Sequence, residues 1–370
     1  MNERVRTMLR PLTGAVRRAG ARRLARGAQP PDGGVPRVCY GLGPLPSVDE
    51  VAGGGIVKLQ ALRRVFPDSP DRFNLLYLVS SRLPAASSAL VRTARRRGAR
   101  IVVNQNGVAY PAWAGSAWQQ LNEPLGETLA QADYVVYQSA FCKLSADRFL
   151  GPPAASWEVL YNPVDTSTFM PAGLRGKPSG PVTLLLGGTQ DLEYKIVAAF
   201  DVVFRLRASL DVRLLVTGRL RWTTDEAANR RRAGEWLERR GLTDVVTFVG
   251  PYAQRDAPAI FQQADILLHT KYNDPSPTVV AEAMSCALPI VYSASGGVPE
   301  LVGDQAGIGV PAPLDWEREH IDPDAMADAV VRIAKNPEPF RRAARLRAVE
   351  QFDAVRWTER HKQIFSAVLA

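Results

Sequence analysis

Asp274-Pro275-Ser276-Pro277-Thr278-Val279-Val280-Ala281-Glu282 runs on through Ala283-Met284-Ser285-Cys286-Ala287-Leu288-Pro289-Ile290-Val291 to Ser295-Gly296-Gly297-Val298-Pro299-Glu300. Pro275 and Pro277 cannot lie inside a helix, so they hold Asp274 on a loop. Thr278 then stands where a cap belongs, for a helix expected over Val279–Cys286, and Glu282 falls one turn inside it. The apolar run Ile266–His269 before this loop reads as a strand, and Ile290–Tyr292 after Pro289 reads as another. Two carboxylates thus sit at the mouth of a strand–loop–helix–strand unit, beside a helix N-terminus. Such a terminus offers free N–H groups and positive potential suited to a diphosphate. Carboxylates beside it suit sugar hydroxyls, from which they accept charge-assisted hydrogen bonds. On chemistry alone, a solvated aspartate and a helix-surface glutamate fit the same residues.

Working outward, short apolar runs alternate with helical patterns in both directions, as expected for a parallel sheet wrapped by helices. In the first half, strands are expected at Val38–Tyr40, Leu75–Val79, Ile101–Asn104, Tyr134–Tyr137 and Val159–Tyr161, with helices at Ile56–Val65, Ala85–Arg96, Leu121–Gln131 and Phe141–Phe149. The Gly- and Pro-rich stretch Pro171–Pro181 interrupts that rhythm. The second half restarts it, with strands at Thr183–Leu186, Arg213–Val216, Val245–Phe248, Ile266–His269 and Ile290–Tyr292. Its helices are expected at Tyr194–Ala208, Glu226–Arg240, Ala257–Gln263, Val279–Cys286 and Pro323–Ala334, followed by Phe340–Gln351 and Val355–Leu369. The expected fold is α/β, two doubly wound Rossmann-like domains facing across a cleft. The expected boundaries are a flexible basic tail over 1–36, a first domain over 37–165 and a second over 166–345. Residues 346–370 would then form a helix that crosses back to the first domain.

A chain of 370 residues with 46% hydrophobic and 22% charged side chains has room for two buried cores. The net charge of +9 is concentrated at the start. Residues 1–36 carry eight arginines against Glu3 and Asp32, which is +6 and leaves +3 for the rest. That balance argues against nucleic acid as the partner of the globular body. The tail interleaves Val5, Met8, Leu9, Leu12, Val16 and Leu24 with its arginines, a pattern suited either to an anionic membrane face or to a solubilising extension. No apolar run reaches the roughly eighteen residues of a membrane span, and no secretory leader is legible. Cys39, Cys142 and Cys286 are widely spaced in apolar surroundings and read as reduced, buried thiols. A cytoplasmic protein is expected, with peripheral contact at the inner face of the membrane through the tail.

The stretch from Asp274 to Glu300 resembles the donor-binding signature of glycosyltransferase family 4. That signature has an acid, seven residues and a glutamate, then an Ala-Met helix, a proline-led strand and a Gly-Gly-x-Pro-Glu turn. Asp274 stands where the family usually has glutamate, one methylene shorter. The resemblance implies a GT-B fold and retaining transfer from a nucleoside-diphosphate sugar, with a uridine nucleotide favoured. It implies that Asp274 meets the transferred sugar and Glu282 the ribose, with the diphosphate on the backbone of Pro277, Thr278 and Val279. Tyr161-Asn162-Pro163-Val164-Asp165-Thr166, with Phe169 and Pro171, is similar to the family's interdomain segment. Val249-Gly250 resembles the stretch lining the base pocket, and Gly53-Gly54-Gly55 the glycine-rich loop that brings Gly54 and Gly55 to the donor. The family's arginine after the second domain's first strand is missing from Leu186-Gly187-Gly188-Thr189-Gln190. Lys195 fits the family's lysine for the diphosphate, and Arg219 is the candidate substitute for the missing arginine.

The first domain lacks the histidine that many relatives place near the acceptor, since His269, His320 and His361 all lie in the second half. Asn104 and Asn106, at the end of an expected strand, are the candidate catalytic amides. They can hydrogen-bond hydroxyls or the leaving phosphate but cannot act as a base near neutral pH. No Asp-x-Asp stands at a strand end, so neither a metal nor another cofactor is expected. The function expected is that of a hexosyltransferase, moving a hexosyl or N-acetylhexosaminyl group to a glycan, lipid-linked or small-molecule acceptor in polysaccharide or glycoconjugate biosynthesis. Two other readings fit less well: a catalytically weak nucleotide-sugar-binding scaffold, and an NAD-dependent oxidoreductase, for which no Gly-x-Gly-x-x-Gly follows a strand.

Overall fold

The computed structural model describes residues 14–33, 35–172 and 180–370. Its first sheet holds five parallel strands in the order β1-β2-β3-β4-β5: Val38–Cys39, Leu75–Val79, Arg100–Gln105, Tyr134–Tyr137 and Ser156–Val159. The second holds six parallel strands in the order β11-β10-β9-β6-β7-β8. These are β6 (Val182–Leu186), β7 (Val212–Thr217), β8 (Val246–Gly250), β9 (Ile266–His269), β10 (Ile290–Ala294) and β11 (Gly307–Pro311). Their inner strands are near-continuous apolar runs because helices cover both faces.

In the second domain, the helices Glu193–Leu206, Glu226–Arg240 and Pro323–Lys335 pack one face around Phe200, Val203 and Ile333. The helices Ala257–Phe261, Thr278–Ser285, Val298–Val302 and Glu338–Gln351 pack the other around Val280, Met284 and Ala348. The last helix, Ala354–Leu369, leaves this domain. Its Trp357, Ile364 and Phe365 are buried with Leu62, Leu75 and Tyr77 of the first. His361, fully buried on it, lies 2.9 Å from the Tyr77 hydroxyl. The chain passes between domains through Val164, whose N–H donates to Phe352 O at 2.7 Å and whose carbonyl accepts from Ala354 N at 3.0 Å.

Several expectations need correction. Residues 14–33 are not a loose tail: Gly14–Leu24 is helical, and Ala21, Ala25 and Ala28 are buried in the first-domain core. The rest of the expected tail, from 1 to 13, lies outside the described residues, as do 173–179 within the expected linker. The fifth strand begins at Ser156 and ends at Val159, not at Tyr161, because Ser-Trp-Glu-Val pairs with β4 as a solvent-facing edge. A sixth strand of the second sheet, β11, and the short helices Pro111–Ala114 and Val298–Val302 have no counterpart in the sequence reading. No helix among the described residues is long and apolar enough to cross a membrane.

Candidate active site

The second sheet reverses its order between β6 and β9, and in such sheets the ligand crevice lies beyond the strand ends at that reversal. β9 ends on His269, and beyond it the chain carries Lys271 and Asp274 before the helix Thr278–Ser285. Gly187, just past β6, lies so close that a Cβ there would sit 2.4 Å from Val279 Cγ2. Pro277 is the N-cap of the helix and offers no side-chain cap, so its first amides face the crevice.

Asp274 is 8% exposed. Its Oδ2 lies 3.3 Å from His269 Nε2 and its Oδ1 3.3 Å from Lys271 Nζ. Burial alone would raise the carboxyl; the positive groups Lys271, His269 and Lys195 outweigh it and hold Asp274 down to about 2. It is therefore a fixed anion at neutral pH. Burial conversely lowers His269, partly offset by Asp274. The Gly-Gly turn exists to hold this loop. Gly297 N donates to Asp274 O at 2.9 Å, and a Cβ on Gly296 or Gly297 would lie 2.5 Å from Asp274 O or 2.1 Å from Pro275 O. Only glycine fits there.

Glu282 faces the other side of the helix start. Burial raises its carboxyl to about 7, and no side-chain hydrogen bond or ion pair engages it among the described residues. Tyr252, two residues beyond Gly250, is close enough for the Glu282 charge to push its phenol further up, after burial. Val249 and Gly250 at the end of β8, Tyr252 and Glu282 thus form one flank. Tyr252 was not singled out from sequence; its only signal was position, just past a strand end.

The cations are placed unequally. Lys195 is buried, and its Nζ donates to Thr189 O at 3.0 Å and Asp191 Oδ1 at 3.3 Å, which ties it to the loop after β6. Burial lowers its pKa. Arg219 is exposed, and no partner engages its side chain among the described residues. Lys271, not singled out from sequence, is the cation bonded to Asp274.

The first domain closes over this crevice. A Cβ on Gly54 would sit 2.3 Å from Thr278 Oγ1, so the glycine loop touches the start of the helix Thr278–Ser285 directly. Asn106 lines a cleft of about 1120 Å³ together with Ser80, Arg82, Tyr110, Trp113 and, from the second domain, Lys271. Asn104 does not reach it. It is fully buried below the cleft, where its Oδ1 accepts from Gln138 Nε2 at 2.6 Å and Lys58 Nζ at 3.4 Å. The sequence placed Asn104 at the substrate because it ends a strand; its side chain turns inward instead. Lys58 also donates to Asn162 Oδ1, and Asn162 Nδ2 donates to Ser276 Oγ at 3.0 Å in the second domain. A buried chain of amides and one lysine therefore joins the domains beneath the site.

Two further contacts fix the closure. Ser139 Oγ donates to Pro275 O at 2.6 Å. Tyr110, Phe141 and Phe149 surround Trp316 of the second domain, with ring centroids 5.2, 5.3 and 5.1 Å from it.

This architecture defines a class: two facing α/β domains with a helix N-terminus and two carboxylates at the switch point of the second. Residues 181–336 match the family described as Glycosyl transferases group 1, and the chain has the GT-B fold. Among solved structures, Anabaena HepE in complex with UDP-glucose aligns with a TM-score of 0.68 at 16% identity, covering 90% of this chain and 100% of that one. Sucrose-phosphate synthase from Thermosynechococcus elongatus aligns at 0.65 and 20% identity, covering 85% and 77%. A D-inositol 3-phosphate glycosyltransferase of Mycobacterium sp. (strain KMS) is 29% identical over 195 residues, half of this chain. That of Mycolicibacterium gilvum is 30% identical over 200 residues. The matched regions span 42% and 41% of those two relatives.

Proposed function

We propose that the protein transfers a hexosyl or N-acetylhexosaminyl group from a nucleoside-diphosphate sugar, with UDP-sugar favoured, to a glycan, lipid-linked or small-molecule acceptor, retaining anomeric configuration. The observation that carries this is the pair of carboxylates flanking the uncapped N-terminus of Thr278–Ser285: Asp274 held ionised, Glu282 half-buried with no side-chain partner among the described residues. The family match over 181–336 supports transfer chemistry. The fold shared with a protein solved with UDP-glucose supports a uridine nucleotide.

In this reading Glu282 accepts the ribose hydroxyls, Val249 and Gly250 border the base, and the amides of Thr278 and Val279 receive the diphosphate. Asp274 hydrogen-bonds the transferred sugar. The departing phosphate oxygen takes the acceptor proton, because Asn106, the amide that reaches the cleft, cannot. Catalysis then rests on orientation and on stabilising the leaving diphosphate.

The test is incubation of the protein with UDP-glucose, UDP-galactose and UDP-N-acetylglucosamine and a panel of glycan, polyprenyl-phosphate and polyol acceptors. Mass spectrometry should find an acceptor heavier by one sugar, with UDP released. Release of UDP that no acceptor in any class accelerates, and no glycosylated product, would count against transfer.

A further inference from the structure

We propose that Arg82, a residue of the first domain, supplies the cation for the donor diphosphate, in place of an arginine after β6. The assignment rests on the reading of the cleft as a nucleotide-sugar site.

Three successive glycines place it. A Cβ on Gly53 would lie 3.0 Å from Arg82 Nη2, and one on Gly55 would lie 3.0 Å from Arg82 Cγ, so the arginine side chain runs along the loop. A Cβ on the middle residue, Gly54, would lie 2.3 Å from Thr278 Oγ1. The guanidinium and the start of the donor helix are therefore held on one short loop, whose successive Cα atoms are about 3.8 Å apart. Arg82 itself is the last residue of a 3-10 turn, Ser80–Arg82, braced where Ser80 Oγ accepts from Asn106 N at 2.8 Å. It lines the same cleft as Lys271 and Pro275.

The helix Gly54–Val65 also begins there, and its N-cap Gly53 provides no side-chain cap. Two helix N-termini, one from each domain, thus converge beside an arginine, and both dipoles present their positive ends. A guanidinium suits a diphosphate better than an ammonium does, since its fork can bond two oxygens at once.

Directly after β6 the second domain has little room for an arginine. Gly187 is pressed against Val279, and Gly188 has φ +78, a left-handed conformation in which an arginine would be strained. A Cβ on Gly218, at the end of the adjacent β7, would lie 2.3 Å from Gly188 O. In this arrangement the cation reaches the diphosphate from across the cleft. Since the nucleoside rests on one domain and the cation comes from the other, diphosphate affinity requires the closed arrangement, whereas nucleoside affinity does not.

Calorimetric titration of the full chain with UDP, and with uridine as the phosphate-free control, tests this in wild type, Arg82→Ala and Arg82→Lys. UDP should bind Arg82→Ala about 10- to 100-fold more weakly, with Arg82→Lys between the two and uridine unchanged. Unchanged UDP affinity in a folded Arg82→Ala protein overturns the assignment. So does an equal loss for UDP and uridine, which would mean the residue supports the fold. If wild type binds neither UDP nor GDP, the nucleotide-sugar reading itself fails, and the assignment with it.

Discussion

The Glu300 carboxylate accepts hydrogen bonds from the amides of Ala140, at 2.8 Å, and Phe141, at 3.0 Å. The last residue of the Gly-Gly-Val-Pro-Glu turn in one domain thereby caps the helix Ala140–Phe149 of the other. Ser139, the N-cap within the helix's own chain, takes the next amide, Cys142 N, at 2.9 Å. Three otherwise orphaned donors are satisfied, two of them across the domain interface.

Glu300→Ala should lower stability by about 1 kcal/mol, the usual effect of losing a helix N-cap. It should also reduce turnover, by loosening the closed arrangement. Urea denaturation and a transfer assay check both; an unchanged midpoint with unchanged turnover would show the contact to be incidental.

Glu282 gives a prediction in pH. Its folded carboxyl sits at about 7, above the ordinary 4.5, so between those values the folded state binds more protons than the unfolded. Stability contributed by this site is present at low pH and lost as pH rises through that window. Donor binding should run the other way, since the ionised carboxylate is the better acceptor for ribose hydroxyls. UDP affinity in wild type, taken relative to Glu282→Gln, should strengthen as pH passes upward through about 7. Glu282→Ala should weaken binding at pH 8 by about 1–3 kcal/mol. Parallel pH profiles for wild type and the Gln variant would remove the ribose assignment.

Asp274 is the opposite case. Its folded carboxyl, at about 2, lies below the ordinary 3.8, so its stabilising contribution is full above 3.8 and lost as pH falls through 2. Asp274→Asn should shift acid unfolding to be less pH-sensitive in that range. It should lower turnover by more than it lowers affinity for UDP if, as proposed, the carboxylate meets the sugar rather than the nucleotide. Equal losses in kcat and UDP affinity would move Asp274 away from the sugar.

Lys58 carries a third sign. Burial brings its ammonium down to about 7 from 10.5, so between these values the unfolded chain holds more protons and stability rises with pH. In Lys58→Met this component should vanish, leaving a flatter stability profile from pH 7 to 10 by urea titration. An identical slope in both proteins would mean that Lys58 stays charged against Asn104 and Asn162.

The legible parts of the molecule were those fixed locally. The apolar runs at Leu75–Val79, Tyr134–Tyr137 and Ile266–His269 are strands with the expected ends, because both faces of each sheet are covered and the runs need no partner to be recognised. The loop and helix from Asp274 to Glu282 were equally readable, since two prolines delimit the start; Thr278, expected as the cap, is instead the first helical residue after Pro277. What sequence could not show depended on contacts distant along the chain. Gly-Ile-Gly-Val-Pro at 307–311 reads as a loop and becomes β11 only by pairing with β10, where a Cβ on Gly307 would strike Ile290 O. Ala21, Ala25 and Ala28 carry little apolar signal among arginines, yet they anchor the N-terminal helix. Lys58, unremarked in the sequence, lies buried; Asn104 reads as a cleft residue and lies beneath it. Trp316 gave no sign that it would meet three aromatic rings from the other domain.

A crystal structure of the protein with UDP tests the central claim most directly. The account predicts the diphosphate at the amides of Thr278 and Val279 with Arg82 beside it, the ribose hydroxyls on Glu282, and the uracil against Val249 and Gly250. Nucleotide bound anywhere other than the crevice between β6 and β9, or a ribose turned away from Glu282, would contradict it.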